Sequence, residues 1–62
     1  MPIINIQARS LPVERKRELV AQLTELVCRA YQLPPETITV LIQEYPSENI
    51  GVAGCLLADR HR

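Results

Sequence analysis

A strand-like run, a much longer helix-like run and a second strand-like run follow one another in this chain, and that order leaves few folds open. Residues 3–8, Ile-Ile-Asn-Ile-Gln-Ala, alternate, with Ile4, Ile6 and Ala8 on one face and Ile3, Asn5, Gln7 and Arg9 on the other. Period-two alternation predicts a strand with one buried face. Leu19, Val20, Leu23, Leu26, Val27, Ala30 and Tyr31 then recur at three- and four-residue steps. That spacing predicts an amphipathic helix from about residue 11 to about residue 32. Ser10 is its expected N-cap, Pro12 suits the first turn and Glu14 complements the positive end of the dipole. Glu25 and Arg29 have the spacing of a surface ion pair. Pro34 and Pro35 stop the helix. Residues 38–45 are rich in strand formers, and Pro46 ends that run. A crossover of this length joins parallel strands, not a hairpin. Turn formers fill 47–54, with Gly51 and Gly54 read as positive-φ positions. Val52–Ala58 reads as a short strand or hairpin, and 59–62 as a polar tail carrying a surface His61.

The chain has 62 residues, enough for one small domain. Such a chain buries only about 60% of its unfolded surface. Apolar burial worth roughly 90 kcal/mol then meets a conformational cost of about the same size. Something must supplement the lone chain. Two cysteines, Cys28 and Cys55, make no disulfide framework, and one histidine beside them makes no metal site. Self-association remains. Two strands under one helix leave two sheet edges and one sheet face bare, so dimers assembled further are expected. Seven acidic residues balance seven basic ones, which argues against a nucleic-acid footprint. The apolar runs are too short to span a membrane. No basic-then-apolar leader is present, so no secretory signal is expected, and with free thiols the expected compartment is the cytoplasm.

Met1-Pro2-Ile3-Ile4-Asn5-Ile6 resembles the opening of the tautomerase superfamily, the 4-oxalocrotonate tautomerase group. The resemblance continues through Glu14–Val20, Leu33-Pro34 and Val40–Glu44 and ends at Asn49-Ile50-Gly51-Val52-Ala53-Gly54. It covers nearly the whole chain. It implies an α/β fold of the tautomerase/MIF-like kind: a strand–helix–strand protomer with a C-terminal hairpin, completed by oligomerisation, commonly as a homohexamer of three dimers. It also implies cofactor-free chemistry. Family members lose the initiator methionine, so Pro2 becomes an N-terminal secondary amine that acts as general base on an enol or unsaturated carboxylate.

That chemistry is physically reasonable. A proline amine is more basic than an ordinary α-amine. To accept a proton near neutral pH it must be kept neutral, and burial or a nearby cation does this. An arginine in the same pocket also binds the substrate carboxylate or the developing enolate. Well-known members use two arginines and a hairpin aromatic. By ungapped alignment after the first loop these positions fall at Leu11, Thr39 and Ile50, and all three differ. Arg9, at the end of the first strand, is the candidate replacement, a single arginine suited to a monocarboxylate. The expected site is therefore Pro2 as proton shuttle, Arg9 for the anion, and Leu11, Thr39 and Ile50 as pocket positions.

Dehalogenase-like relatives also need a carboxylate to activate water. None lies in the 50–54 hairpin, and Glu48 sits in the turn, so hydration or dehalogenation ranks below tautomerisation; a related proline-dependent lyase, decarboxylase or hydratase, is the second enzyme reading. A non-catalytic oligomer is the reading from another class. Arg15, Lys16 and Arg17 read as a solvated basic run. Cys28, Cys55, Tyr31 and Tyr45 read as packing residues.

Overall fold

The computed structural model describes residues 1–60; His61 and Arg62, with the surface role expected of that histidine, lie outside them. Strand β1 (Ile3–Ala8) leads through helix α1 (Val13–Tyr31) to strand β2 (Thr39–Glu44). A hairpin of β3 (Gly51–Val52) and β4 (Cys55–Leu56) follows, between short 3-10 turns at Ser47–Asn49 and Leu57–Arg60. The strands β1 and β2 are parallel, in register from Ile3 opposite Thr39 to Ala8 opposite Glu44. β3 and β4 form a separate antiparallel pair. The α/β architecture expected from the element order is the one observed.

Several details differ from expectation. Ser10 is not the helix cap: Pro12 holds that place with extended dihedrals, and no side chain caps the helix. Its carbonyl accepts the Lys16 N–H at 3.0 Å. A proline at the boundary has no N–H to leave unsatisfied, so the helix starts there without a side-chain cap. At the other end Gln32 takes the left-handed conformation, and the Leu33 N–H donates to the Cys28 carbonyl at 3.1 Å. This is a glycine-type stop made without glycine, one turn ahead of Pro34 and Pro35. In the hairpin, Gly51 does not have positive φ. Ala53 and Gly54 do, at 55° and 81°, because a two-residue turn matching the strand twist needs both central residues there. Glu25 and Arg29 form no ion pair; among the described residues the ion pair is Lys16–Glu44. Asp59 and Arg60 belong to a 3-10 turn instead of a free tail, and the Arg60 guanidinium donates to the Val52 carbonyl at 3.2 Å.

The apolar faces meet as the periodicities require, yet they close over nothing. Ile4, Ile6, Val40 and Ile42 on the sheet and Leu19, Leu23 and Val27 on the helix are half-buried. Ala8, expected on the buried face, is exposed. No described residue is fully buried. Leu26 is 55% exposed, Tyr31 66% and Leu41 48%. The chain exposes 5028 Å², against about 4,000 Å² for a folded monomer of its mass. Its radius of gyration is 15.2 Å, against about 10.5 Å for a compact chain of this length. If a bit over half of the extra ~1,000 Å² is apolar, leaving it wet forgoes about 14 kcal/mol. That equals the whole stability margin of a typical domain. The self-association expected from the chain's length would supply this cover. The thermal midpoint should therefore rise with protein concentration, helical circular dichroism and oligomer mass falling together on dilution. A monomer with a concentration-independent midpoint would show that the protomer suffices alone.

Candidate active site

The ladder between β1 and β2 has two ends, and the candidate residues divide between them. At the first, Pro2 is half-buried just outside β1. Its carbonyl accepts the Thr39 N–H at 3.1 Å, which fixes the ring against the start of β2. Proline suits this place because the first strand position needs no donor. Thr39 faces the side of the sheet away from the helix, in register with Ile3. Met1 is 86% exposed. While Met1 is attached, the Pro2 nitrogen is an amide with no basicity.

At the opposite end a cleft of about 280 Å³ is lined by Gln7, Ala8, Arg9, Tyr45, Ile50 and Leu57. Two backbone bonds build it. The Tyr45 N–H donates to the Ala8 carbonyl at 2.9 Å, carrying the ladder one step past β2. The Leu57 N–H donates to the Ile50 carbonyl at 2.8 Å, closing the base of the hairpin and placing those two residues together. Arg9 is the ionised side chain of this lining.

Leu11 does not line the cleft. Its N–H donates to Glu44 Oε2 at 3.1 Å. The same oxygen pairs with Lys16 Nζ at 2.8 Å. Glu44 thus ties the β1–α1 loop and the first helical turn to the end of β2. The hydrogen bond from Lys16, then that from the Leu11 backbone, hold its carboxyl below the usual carboxylate value, against a smaller opposing effect of burial. One member of the expected solvated basic run is therefore a structural anchor.

The structure brings Arg9 and Ile50 into one cleft, ties Leu11 to Glu44 on the helix side instead, and leaves Pro2 and Thr39 at the far end. Seven residues of extended chain separate Pro2 from Arg9, about 23 Å at 3.3 Å per residue. Gln7, Tyr45, Leu57 and Glu44 were not singled out as site residues from the sequence. The parity of Tyr45 with Arg9 across a parallel register was the available signal; the Lys16–Glu44 contact had none, because it joins distant elements. A second hollow, about 370 Å³, runs along α1 between Val13, Lys16, Arg17, Val20 and Ala21. It is a one-sided, largely apolar strip of helix with Lys16 already paired. Cys28 is half-buried and Cys55 exposed, both free. Among the described residues no three His, Cys, Asp or Glu side chains gather as metal ligands, and no helix is long and apolar enough to cross a membrane.

Because the Glu44 carboxyl is lowered in the folded chain, its contribution is complete above the ordinary value of 4.5 and fades as pH falls through the lowered one. The Leu11 amide resonance should titrate with a midpoint below 4.5. In Glu44→Gln that titration should vanish. A midpoint at or above the ordinary value would mean that the anchor does not form in solution.

Comparison with known proteins points to one family. The family profile described as tautomerase enzyme matches residues 2–60. A probable tautomerase of Halalkalibacterium halodurans is 36% identical over 61 residues, covering 97% of this chain and all of that protein. Among solved structures, DmpI from Archaeoglobus fulgidus is 41% identical with a TM-score of 0.84, covering 94% of this chain and 100% of that one. A 4-oxalocrotonate tautomerase homologue is 30% identical with a TM-score of 0.90, each chain covered in full.

Proposed function

This chain belongs to the tautomerase enzyme family and is an isomerase, and on that footing we propose that it ketonises a small 2-hydroxy-unsaturated carboxylate with Pro2 as general base once Met1 is removed. One observation carries the reading: Pro2 is held through its carbonyl, 3.1 Å from the Thr39 nitrogen, so its own nitrogen is left out of the sheet's ladder. Cleaving the exposed Met1 turns that nitrogen into a secondary amine without disturbing the strand pairing. The neutral amine takes the enol O–H proton as the carbonyl forms, and the ammonium returns that proton to carbon. No net proton or electron is exchanged.

Arg9 is the anion-binding group of this mechanism, and the ~23 Å between it and Pro2 in one chain exceeds the length of any small enol acid. The arginine must come from a neighbour. A twofold axis normal to the sheet runs the strands of two copies antiparallel. Pro2 of one copy then lies at the same end of the joint sheet as Arg9 and Ile50 of the other. Thr39, which holds Pro2, and Leu11, close to the arginine in sequence, are the flanking wall positions. We take the full assembly to be a cytoplasmic homohexamer of three such dimers.

The test is a spectrophotometric ketonisation assay on protein whose mass shows Pro2 as first residue, with phenylenolpyruvate and 2-hydroxymuconate as substrates. Pro2→Ala should lower kcat/KM by about 10²–10⁴-fold, the usual contribution of a positioned base. Protein that retains Met1 should be equally impaired. Equal rates for wild type and Pro2→Ala would remove the proline from the mechanism.

A further inference from the structure

Tyr45 and Arg9 occupy the next opposed positions beyond Ala8 and Glu44, the last paired residues of the parallel ladder. Strand parity puts both on the sheet face away from the helix. The position of Tyr45 is tightly set. Its N–H is bonded to the Ala8 carbonyl at 2.9 Å, and Pro46 restricts its backbone to extended conformations. The ring is half-buried and lines the cleft, with Ile50 and Leu57 supplying aliphatic wall. Glu44 is directed to the other face, toward Lys16 and the Leu11 amide, so it does not neutralise Arg9. The Gln7 carboxamide is engaged with Gln43 at 3.1 Å.

The cleft therefore offers one cation, one phenol ring and an apolar wall. We propose that Tyr45, together with the Ile50 and Leu57 wall, determines the specificity of this site, selecting a planar conjugated monocarboxylate with an apolar tail over a dicarboxylate. Arg9 takes the single carboxylate. The flat conjugated chain lies along the Tyr45 ring, where aromatic contact adds to burial. A second carboxylate would be pressed against Ile50 and Leu57 without a counter-charge, and a buried unpaired anion is strongly disfavoured. As a statement about substrate choice, this rests on the tautomerase reading above.

Its test is a binding measurement that needs no turnover. The Met1-free oligomer is titrated calorimetrically with trans-cinnamate and with trans,trans-muconate, neither of which carries an enol. Wild type should bind cinnamate tighter than muconate by roughly tenfold or more. Tyr45→Leu should weaken cinnamate roughly fivefold and leave muconate nearly unchanged, whereas Tyr45→Phe, which keeps the ring, should preserve the preference. Ile50→Lys, which supplies the missing counter-charge, should shift the ratio toward muconate by roughly tenfold, and it serves should Tyr45→Leu fail to assemble. Muconate binding as tightly as cinnamate, or a ratio unchanged in either Tyr45→Leu or Ile50→Lys, overturns the proposal. The two claims fail separately. Selective binding without ketonisation by wild type would sink the tautomerase mechanism and leave the role of Tyr45 standing. Ketonisation with a ratio that ignores Tyr45 would do the reverse.

Discussion

Parallel strands cannot be joined by a tight turn, and in this chain the crossover between β1 and β2 uses the one long helix. Everything else is arranged around the ladder that results. Its first rung, Thr39 N–H to Pro2 carbonyl, places the proline. Its last, Tyr45 N–H to Ala8 carbonyl, places the tyrosine beside Arg9 and aims the chain into the hairpin. Glu44, at the last paired position, fastens the helix start to the sheet through Lys16 and the Leu11 amide. A slip of β2 by one residue would turn Tyr45 to the helix face, away from Arg9, and Glu44 away from its partners.

The ladder also explains why the chain is not sufficient alone. Two strands and a helix give one half-covered face, a bare opposite face and two open edges. The same deficit appears in the chemistry. Pro2, the proposed base, lies at one end of the sheet and Arg9 with its apolar cleft at the other, too far apart to act on one small molecule. Antiparallel pairing of copies answers both needs. In the proposed dimer it would cover apolar surface and bring the proline of one chain to the arginine of another. In this account burial of surface and completion of the site are one event.

Much of this was legible in the sequence, for physical reasons that can be traced residue by residue. Ile4, Ile6, Val40 and Ile42 and the Leu19–Leu23–Val27 stripe reveal their elements because periodicity reports which face is covered. Boundaries were less legible. Ser10 looks like a cap, but Pro12 two residues later meets the need without a side chain. Gly51 looks like the turn residue, but hairpin register puts the turn at Ala53 and Gly54, which period alone does not specify. The Lys16–Glu44 tie is invisible to local pattern because its partners lie in different elements. Pro2 carries no chemical signal beyond its position, so its proposed role comes from resemblance. Tyr45 was read as packing because its value depends on register with Arg9, which only the folded sheet displays.

The claim that the active site is shared between chains is open to one direct measurement. Pro2→Ala and Arg9→Gln chains, each inactive by itself, are unfolded together in equal amounts, reassembled and assayed for ketonisation. Random pairing leaves one site in four with both an intact proline and a partner's intact arginine, so the account predicts about a quarter of the wild-type rate. Mixed assemblies verified by native mass spectrometry that remain inactive would contradict it.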